Sequence, residues 1–564
     1  NAFTNASNIA IKNNSAIDTN KNGSKTMAQT FINNSKIILE GRNIAFSNSY
    51  DHFQAAHFGA DTATNINYVD KMRFDVGGIV INTGDIVSHP YQESGTNTTP
   101  YDLLSAAFIV SKDTARGDSN SLAQYQILYN SGNIDLYNKK SSVFFLNPNE
   151  NFLLDYRLKF GPAGSLEYSG NAGTQAPKRP ITVVNRNNIK LYGENSVGVY
   201  VKTPVDLTMD FKDNAGTNFK PMNIYGDESV GLFVQKTAAN ERATVNGNFA
   251  VNIGDSSNKG NQTYTSNNIA DLDNAPTDKT TTGNYLTEYG LNNNDPLIEN
   301  SYGIFAATDI DFSQNLANGI NGGHQIVIYG NSKNNIGVLT STKGASNDGT
   351  NYNLGSGIIG LKDGLKNIGI ALNGQKNAQV TADKIVMSGG DENTAIYAMG
   401  DGTTSTTEKV TVNSVNDASV TSPFAPSQTR NSIAIYAAKG SNVTVNKDFK
   451  VNTKVISATP ASGTSTQNAG GVYATGEDTV VTLGATTPAT RIEVEGSDIL
   501  DSAGKSTGDK AGFGLFADGG AKISAIGTGG SSLVKVKNGS AAVVSLGDTS
   551  TSTSTSSEIN LTGA

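Results

Sequence analysis

Short runs of β-branched and aromatic residues recur along the whole chain, each about four or five residues long. Asn, Gly, Asp and Ser stand between these runs, and these residues form sharp corners because several of them tolerate positive φ. Many short apolar runs separated by corner residues predict an all-β protein. Helix signals, such as capping boxes that lead into apolar runs of period 3.6, are almost absent.

The runs belong to an internal repeat. The segment LYGENSVGVYV at 191–201 aligns without a gap to IYGDESVGLFV at 224–234. Glycines at the same place in the unit are 33 residues apart between Gly198 and Gly231, and 34 apart between Gly303 and Gly337. The core of the unit returns as YGIFA (302–306), IGVLT (336–340), IGIAL (368–372), IAIYA (433–437), GGVYA (470–474) and FGLFA (513–517).

Strands this short, joined by tight corners, would leave a large exposed edge if they formed a flat sheet. Winding the chain places each strand parallel to its equivalent one turn earlier, so that the backbone groups of each turn find partners above and below. The repeat therefore predicts a parallel β-helix, a solenoid held together by contacts between neighbouring turns. At about 20 to 30 residues per turn and about 4.8 Å between turns, we expect roughly 20 turns and a rod about 100 Å long.

Side-chain alternation within the unit predicts one interior column and one outer column. The interior column is aliphatic and contains Val199, Leu232, Ile304, Val338, Ile370, Ile396, Ile435, Val472 and Leu515. The neighbouring aromatic column is expected to face outward or to line a corner, and contains Tyr200, Phe233, Phe305, Tyr397, Tyr436, Tyr473 and Phe516. Two interpretations of the aromatic column stay open: rings that stack on one another, or a platform that binds sugars.

The repeat is clearest over 181–564 and weaker over 1–180, where 11 of the 21 Phe and three of the four His lie. We expect 1–180 to be an irregular, aromatic-rich part of the β-helix that carries a protruding lobe. Residues 255–300 form a long insertion rich in Asn, Thr and Asp, and insertions of that length are functional or disordered.

Composition narrows the classes of function. The chain has no Cys, which excludes disulfide scaffolds, thiolate metal sites and cysteine nucleophiles. A net charge of −8 with 42 Lys and Arg makes nucleic acid a poor partner. Charged residues make up only 16% of the chain, whereas we count 66 Asn. No calcium loop and no tight His spacing is present, so we expect no metal and no cofactor.

Two acids and one histidine are the best candidates for an enzyme. Asp309 and Asp311 alternate on one predicted strand, and His324 follows shortly after. Such a set could cleave a glycan by general acid–base chemistry if the three side chains met in one groove. A solvated strand face explains the same pattern without catalysis, and we expect a protein that is not an enzyme.

Arg116, Gly117 and Asp118 are the candidate ligand-binding residues. They stand in the polar segment DTARGDSNS and form the Arg-Gly-Asp tripeptide that integrins recognise. Because Gly and Asp are abundant in this chain, chance also explains the tripeptide.

The repeated unit GxxSVG followed by an aliphatic and an aromatic residue, the Asn, Gly and Thr bias and the missing Cys resemble the passenger regions of large type V autotransporter adhesins. The resemblance is greatest to fusobacterial outer-membrane autotransporters, the galactose-sensitive and arginine-inhibitable group, and is clearest over 181–545. It implies a right-handed β-helix, export to the bacterial cell surface with anchoring by a barrel that is not in this sequence, and binding to host-cell glycans or receptor proteins or to partner bacteria. It also implies a monomer that is outer membrane-anchored or released extracellularly.

Two alternatives to an adhesin remain: a β-helical polysaccharide hydrolase or lyase, and a structural stalk that presents a binding tip located elsewhere.

Overall fold

The computed structural model describes the following residues: 2–5, 9–11, 28–34, 36–40, 44–49, 76–89, 106–111, 126–147, 179–202, 205–236, 243–254, 298–330, 332–342, 348–388, 390–400, 411–420, 429–447, 449–454, 470–484, 490–500, 503, 505–526, 533–539, 541–546 and 556–562. All regular secondary structure in these ranges is β-strand. Within them, no helix has the length and apolar character needed to cross a membrane.

Forty-five strands follow one another along the described chain. Up to residue 202 they are β1 (Ala2–Asn5), β2 (Ile9–Ile11), β3 (Ala28–Asn33), β4 (Ile37–Glu40), β5 (Ile44–Ser49), β6 (Val76–Asn82), β7 (Ile86–His89), β8 (Ala106–Ser111), β9 (Gln126–Asn130), β10 (Ile134–Leu136), β11 (Ser142–Asn147), β12 (Arg179–Asn185), β13 (Ile189–Leu191) and β14 (Val197–Lys202). The next are β15 (Val205–Asp210), β16 (Met222–Ile224), β17 (Val230–Gln235), β18 (Thr244–Ile253), β19 (Ile298–Glu299), β20 (Tyr302–Ala306), β21 (Ile310–Asp311), β22 (Gly323–Ile328), β23 (Ser332–Lys333), β24 (Ile336–Thr340), β25 (Asn351–Asn353), β26 (Gly357–Lys362), β27 (Ile368–Asn373), β28 (Gln379–Ser388), β29 (Gly390–Asp391) and β30 (Thr394–Met399). The last are β31 (Thr411–Val420), β32 (Thr429–Arg430), β33 (Ile433–Ala438), β34 (Asn442–Val445), β35 (Phe449–Lys454), β36 (Gly470–Thr475), β37 (Val480–Leu483), β38 (Thr490–Glu495), β39 (Ser497–Leu500), β40 (Ser506–Ala511), β41 (Phe513–Asp518), β42 (Lys522–Ile526), β43 (Leu533–Lys537), β44 (Ala541–Ser545) and β45 (Glu558–Thr562).

The strands are stacked in three columns, and we call one passage of the chain through the three columns a coil. Column 1 contains β1, β3, β6, β9, β12, β15, the first half of β18, β21, β25, the first halves of β28 and β31, β34, β37, β42 and β45. Column 2 contains β2, β4, β7, β10, β13, β16, the second half of β18, β22, β26, the second halves of β28 and β31, β35, β38 and β43. Column 3 is a separate sheet of 13 strands: β5, β8, β11, β14, β17, β20, β24, β27, β30, β33, β36, β41 and β44.

Pairing within each column is parallel. Columns 1 and 2 are linked into one 28-stranded sheet because β18, β28 and β31 run through both of them. Among the strand pairs in the described part of the chain, only β39 and β40 are antiparallel. The fold is therefore all-β, with short parallel strands in stacked sheets.

The predicted aliphatic spine of column 3 is confirmed. Val199 pairs with Leu232, and the same register continues to Leu515 through every intervening strand of the column. All nine predicted side chains are 0% exposed. Burying each of them contributes about 1.5–3 kcal/mol, so the spine is a large part of what holds the coils together.

The expected number of turns is wrong. Column 3 has 13 strands between Ile44 and Ser545, and at about 4.8 Å per strand it is roughly 60 Å long. The coils are therefore longer on average than the expected 20 to 30 residues, and at the described corners the loops 211–221 and 312–322 add to their length.

The columns also continue across the boundary between 1–180 and 181–564. In column 1, β9 pairs with β12 and β12 pairs with β15, and in column 3, β11 pairs with β14. The proposed division into two regions stays a prediction.

A ladder of Ser and Asn side chains lines the corner that leads into column 3. In each coil the backbone N–H of the ladder residue donates to the side-chain oxygen of the ladder residue in the next coil, over 2.7–3.1 Å. The residue before each ladder position has a φ between 47° and 57°, which is the left-handed region. The ladder residues, all buried, are Ser141, Ser196, Ser229, Ser301, Asn335, Asn367, Asn393 and Ser432.

A second ladder stabilises the corner between columns 1 and 2 in the first coils. Asn33, Asn82, Asn130 and Asn185 are each 0% exposed, and each side-chain amide donates to the side-chain oxygen of the next, over 2.7–3.0 Å. The same amide groups also donate to carbonyls of their own turn, such as the one of Gly132. The ladder satisfies polar groups that burial would otherwise leave unpaired.

Candidate functional site

The candidate ligand-binding residues Arg116, Gly117 and Asp118 lie outside the described residues. The same is true of the 255–300 insertion except for its last three residues, which belong to β19 and the following turn. Their proposed roles stay predictions.

The structure does not bring Asp309, Asp311 and His324 together in one groove. The His324 side chain is 0% exposed and its Nδ1 lies 2.8 Å from the carbonyl oxygen of Leu354, so Nδ1 carries the proton and donates. Desolvation lowers the pKa of His324 to about 4, and its Nε2 has no partner. The carboxylates are used locally instead: Asp309 accepts from the backbone N–H of Asn351 at 2.7 Å, and Asp311 from Ser313 at 3.0 Å.

The aromatic column stacks ring upon ring. Tyr397 and Tyr436 have centroids 5.1 Å apart and planes inclined by 6°, and Tyr436 and Tyr473 are 5.5 Å apart at 15°. Stacked neighbours cover each other's faces, so those faces are not open to a sugar. Further along the column, Tyr200 and Phe233 are buried at 3% exposure. The geometry favours the stacking interpretation over the sugar platform.

Two loops leave the corner between columns 1 and 2 and meet outside it, and we call this pair the corner lobe. The first loop, 211–221, connects β15 to β16, and the second loop, 312–322, connects β21 to β22. In the coil between them, β18 turns the corner without a loop. The two loops therefore lie over β18.

Each loop is closed by its own hydrogen bonds. In the first loop, Asp213 donates its N–H to the carbonyl of Asn218 at 2.8 Å, and its carboxylate accepts from Thr217 and Asn218. These bonds lower the pKa of Asp213 to about 2. In the second loop, the N–H of Leu316 donates to the carbonyl of Ile320 at 2.8 Å.

Lys212 joins the two loops. Lys212 is only 6% exposed, and its Nζ donates to the carbonyl of Asn321 at 2.7 Å. The ammonium also lies 4.9 Å from the ring centroid of Phe219. The loops also come close to each other further out, at Gly216 and Ile320. A Cβ built on Gly216 would lie only 3.0 Å from Ile320 Cγ1. Desolvation lowers the pKa of Lys212, and Asp210 and Asp213 oppose the shift.

A buried ionic network supports the lobe from below. The Arg186 guanidinium forms an ion pair with Asp210 and donates to the carbonyl of Lys212 at 2.9 Å. The other carboxylate oxygen of Asp210 accepts from the Asn248 amide at 3.1 Å, and Asn248 in turn accepts from the N–H of Phe211 at 2.6 Å. The network begins next to Asn185, where the asparagine ladder ends. Buried charges are costly unless they are paired, and these groups are fully paired.

The exposed residues of the lobe are polar or small, and the charged groups of Asp213 and Lys220 are partly exposed beside them. In the two loops, the charged residues Lys212, Asp213 and Lys220 are buried or half-buried, and none of the exposed residues carries a charge. Phe219, Leu316 and Ile320 are half-buried. The exposed residues are Asn214, Ala215, Thr217, Asn218, Ser313, Gln314, Asn315, Ala317, Asn318, Gly319 and Asn321.

Sequence reasoning did not single out the lobe. The segments FKDNAGTNFKP and FSQNLANGING break the alternation of strand residues, which is the signal that could have marked two loops at equivalent corners. Their contact could not be read from the sequence, because Lys212 and Asn321 are 109 residues apart.

Comparison with known proteins gives no relative, since no family model, no curated protein and no solved structure matches the chain. In the described residues, no group of three or more His, Cys, Asp or Glu is placed to hold a metal ion.

Proposed function

We propose that this chain is part of the passenger region of a bacterial surface adhesin, a right-handed parallel β-helix without enzymatic activity that attaches to host cells or to other bacteria. The observation that carries the proposal is the unbroken parallel register of column 3 through 13 strands. A stack of that kind is rigid and has a narrow core, so binding groups are displayed along its sides. Right-handedness is supported by the strong preference of parallel crossovers for that hand.

The lack of Cys supports export through a narrow pore, because no disulfide can lock the chain into a folded form before it passes the pore. The corner lobe supports a binding role, because its buried ionic network holds two loops in one arrangement on the outside of the stack. The alternative of a glycan hydrolase or lyase loses its best candidate residues, since His324 is buried and the two acids cap neighbouring backbone groups. It otherwise stays an alternative, as does the structural stalk.

The test is binding of the purified 564-residue chain to host cells and to partner bacteria, with free galactose and free arginine as competitors. An adhesin binds in a saturable way, and one of the competitors reduces the binding. Lack of binding to every cell type would contradict the adhesin and favour the stalk. Release of reducing sugars from surface polysaccharides would instead support the enzyme.

A further inference from the structure

We propose that the corner lobe, residues 211–221 and 312–322, is a binding site for a neutral glycan. The inference rests on the proposed adhesive function and assigns it to a place and a class of ligand. The occupant is an uncharged oligosaccharide that lies across the two loops, over the coil that contains β18.

The chemistry of the exposed groups points to sugar hydroxyls. Asn and Gln side chains carry a donor and an acceptor on one amide, and Ser and Thr hydroxyls also do both. Neighbouring hydroxyls of a sugar likewise donate and accept, so one amide can bind two of them. Eight of the eleven exposed residues of the lobe have such side chains: Asn214, Thr217, Asn218, Ser313, Gln314, Asn315, Asn318 and Asn321. Five of these side chains already bond to nearby groups of the protein, whereas the amides of Asn214, Asn315 and Asn321 do not take part in the bonds that close the loops.

The same surface is poorly suited to other partners. Phosphate-bearing ligands need exposed Lys or Arg. In the two loops Lys212 is buried and committed to the carbonyl of Asn321, and the other cation, Lys220, is half-buried and shares its loop with the carboxylate of Asp213. Protein interfaces depend on buried aromatic and Arg anchors, whereas the exposed residues of the lobe include neither. A neutral, hydroxyl-rich ligand is what remains.

The lobe also carries partly exposed apolar side chains. Phe219, Leu316 and Ile320 are half-buried among the amide groups. Sugars present apolar C–H surfaces as well as hydroxyls, and Leu316 and Ile320 provide matching contact area, whereas the ring of Phe219 already packs against Lys212.

The lobe is also pre-organised. Lys212 fixes the second loop to the first, and the Arg186–Asp210 pair fixes the first loop to the corner below. A site that is ordered before binding loses less conformational entropy when the ligand arrives. The need to hold two loops in place explains why this corner has a buried ionic network, whereas an asparagine ladder stabilises the same corner in the preceding coils.

The experiment is an array of neutral, sialylated and sulfated oligosaccharides probed with the full chain, followed by titration of the best neutral hit. A triple variant, Asn214→Ala, Asn315→Ala and Asn321→Ala, removes exposed amides from both loops. We expect its affinity to fall at least tenfold. The matched control removes three exposed amides elsewhere, Asn188→Ala, Asn373→Ala and Asn560→Ala, and is expected to change affinity less than twofold. Thermal unfolding of both variants checks that the fold is intact.

A second variant tests pre-organisation. Lys212→Met keeps the length and packing of the side chain but cannot donate to Asn321, so we expect at least a fivefold loss of affinity with all exposed amides in place. Wild-type affinity in this variant would overturn the role of Lys212. No neutral hit on the array, binding to charged glycans only, or a triple variant that binds like the control would overturn the site.

Failure of the site and failure of the adhesin are distinguishable. The same variants are tested in the cell-binding assay. If the wild-type chain binds cells and the triple variant binds equally well, the adhesin stands and the lobe is wrong. If the wild-type chain binds no cell, the adhesin is wrong, and the array still decides whether the lobe binds a glycan.

Discussion

At the scale of single residues, polar side chains inside the stack help to fix the alignment of the coils. Asn82 and Asn130 of the corner ladder each link their own turn to the turns above and below, so removing one leaves several buried groups without partners. An unsatisfied buried donor or acceptor costs about 1–3 kcal/mol.

Asn130→Ala is therefore expected to lower the free energy of unfolding by about 2–4 kcal/mol, because Asn82, Gly132 and Asn185 all lose a partner. Urea denaturation followed by circular dichroism measures the change. The control is Asn188→Ala, an exposed amide at the same corner. Equal midpoints for the two variants would contradict a stabilising ladder.

His324 predicts a pH dependence. Its pKa is about 4 in the fold, below the ordinary value of 6.5, because burial disfavours the charged imidazole. The unfolded chain therefore binds more protons between pH 6.5 and pH 4, and stability falls as the pH is lowered through that window. The contribution is roughly 2–4 kcal/mol. Its nearest charged neighbour is Asp383, which opposes the shift.

The measurement compares urea midpoints of the wild type and His324→Gln at pH 7 and pH 4.5. Gln keeps an amide that can donate to Leu354 but does not titrate. We expect the variant to lose less stability than the wild type on acidification. The same loss in both proteins would assign the pH dependence to other groups.

At the scale of strands, the glycines of column 3 set how closely neighbouring columns approach. A Cβ at Gly231 would lie 2.6 Å from the carbonyl oxygen of Gly303 and 2.8 Å from Val251 Cγ2. Both distances are shorter than real Cβ contacts, and one of them is to rigid backbone.

Gly231→Ala is accordingly expected to destabilise the chain by about 2–4 kcal/mol, since the columns must move apart. Gly360→Ala is the matched control, because the nearest atoms to its added Cβ are 3.6 Å away on Val327. We expect the control to be neutral or slightly stabilising. Thermal melts of both proteins test this, and a Gly231→Ala variant as stable as the control would show that the columns can adjust.

The strand pattern could be predicted from the sequence, whereas the contacts that join coils could not. Val199 and Leu232 stand at the same place in two nearly identical segments, so alternation was enough to predict that both are buried. Ser196 and Ser229 stand at matching places too, but a serine in a corner is expected for turn geometry alone. Their ladder depends on the stacking distance, and the lobe depends on two coils that are adjacent only in space.

At the scale of the whole molecule, one end of the described stack is unlike its interior. The large hydrophobic residues that are exposed in the described part of the chain are Leu533, Val543, Leu546 and Leu561, at 36–47% exposure. Val543 pairs with Leu515, so it occupies the next position of the buried spine, and among the described residues no strand pairs with the far side of β44. Unpaired parallel edges with exposed apolar residues favour association with another chain.

In contrast to the monomer that the resemblance implies, the purified chain is therefore expected to self-associate as its concentration rises, through β43, β44 and β45. The double variant Val543→Lys and Leu561→Lys places charges on this edge and should shift the population towards monomer in sedimentation velocity. Asn560→Lys adds a charge at an exposed polar position of the same strand, and is expected to change association less. If the wild-type chain stays monomeric when its concentration is raised about 100-fold, the exposed edge and these four side chains do not drive self-association.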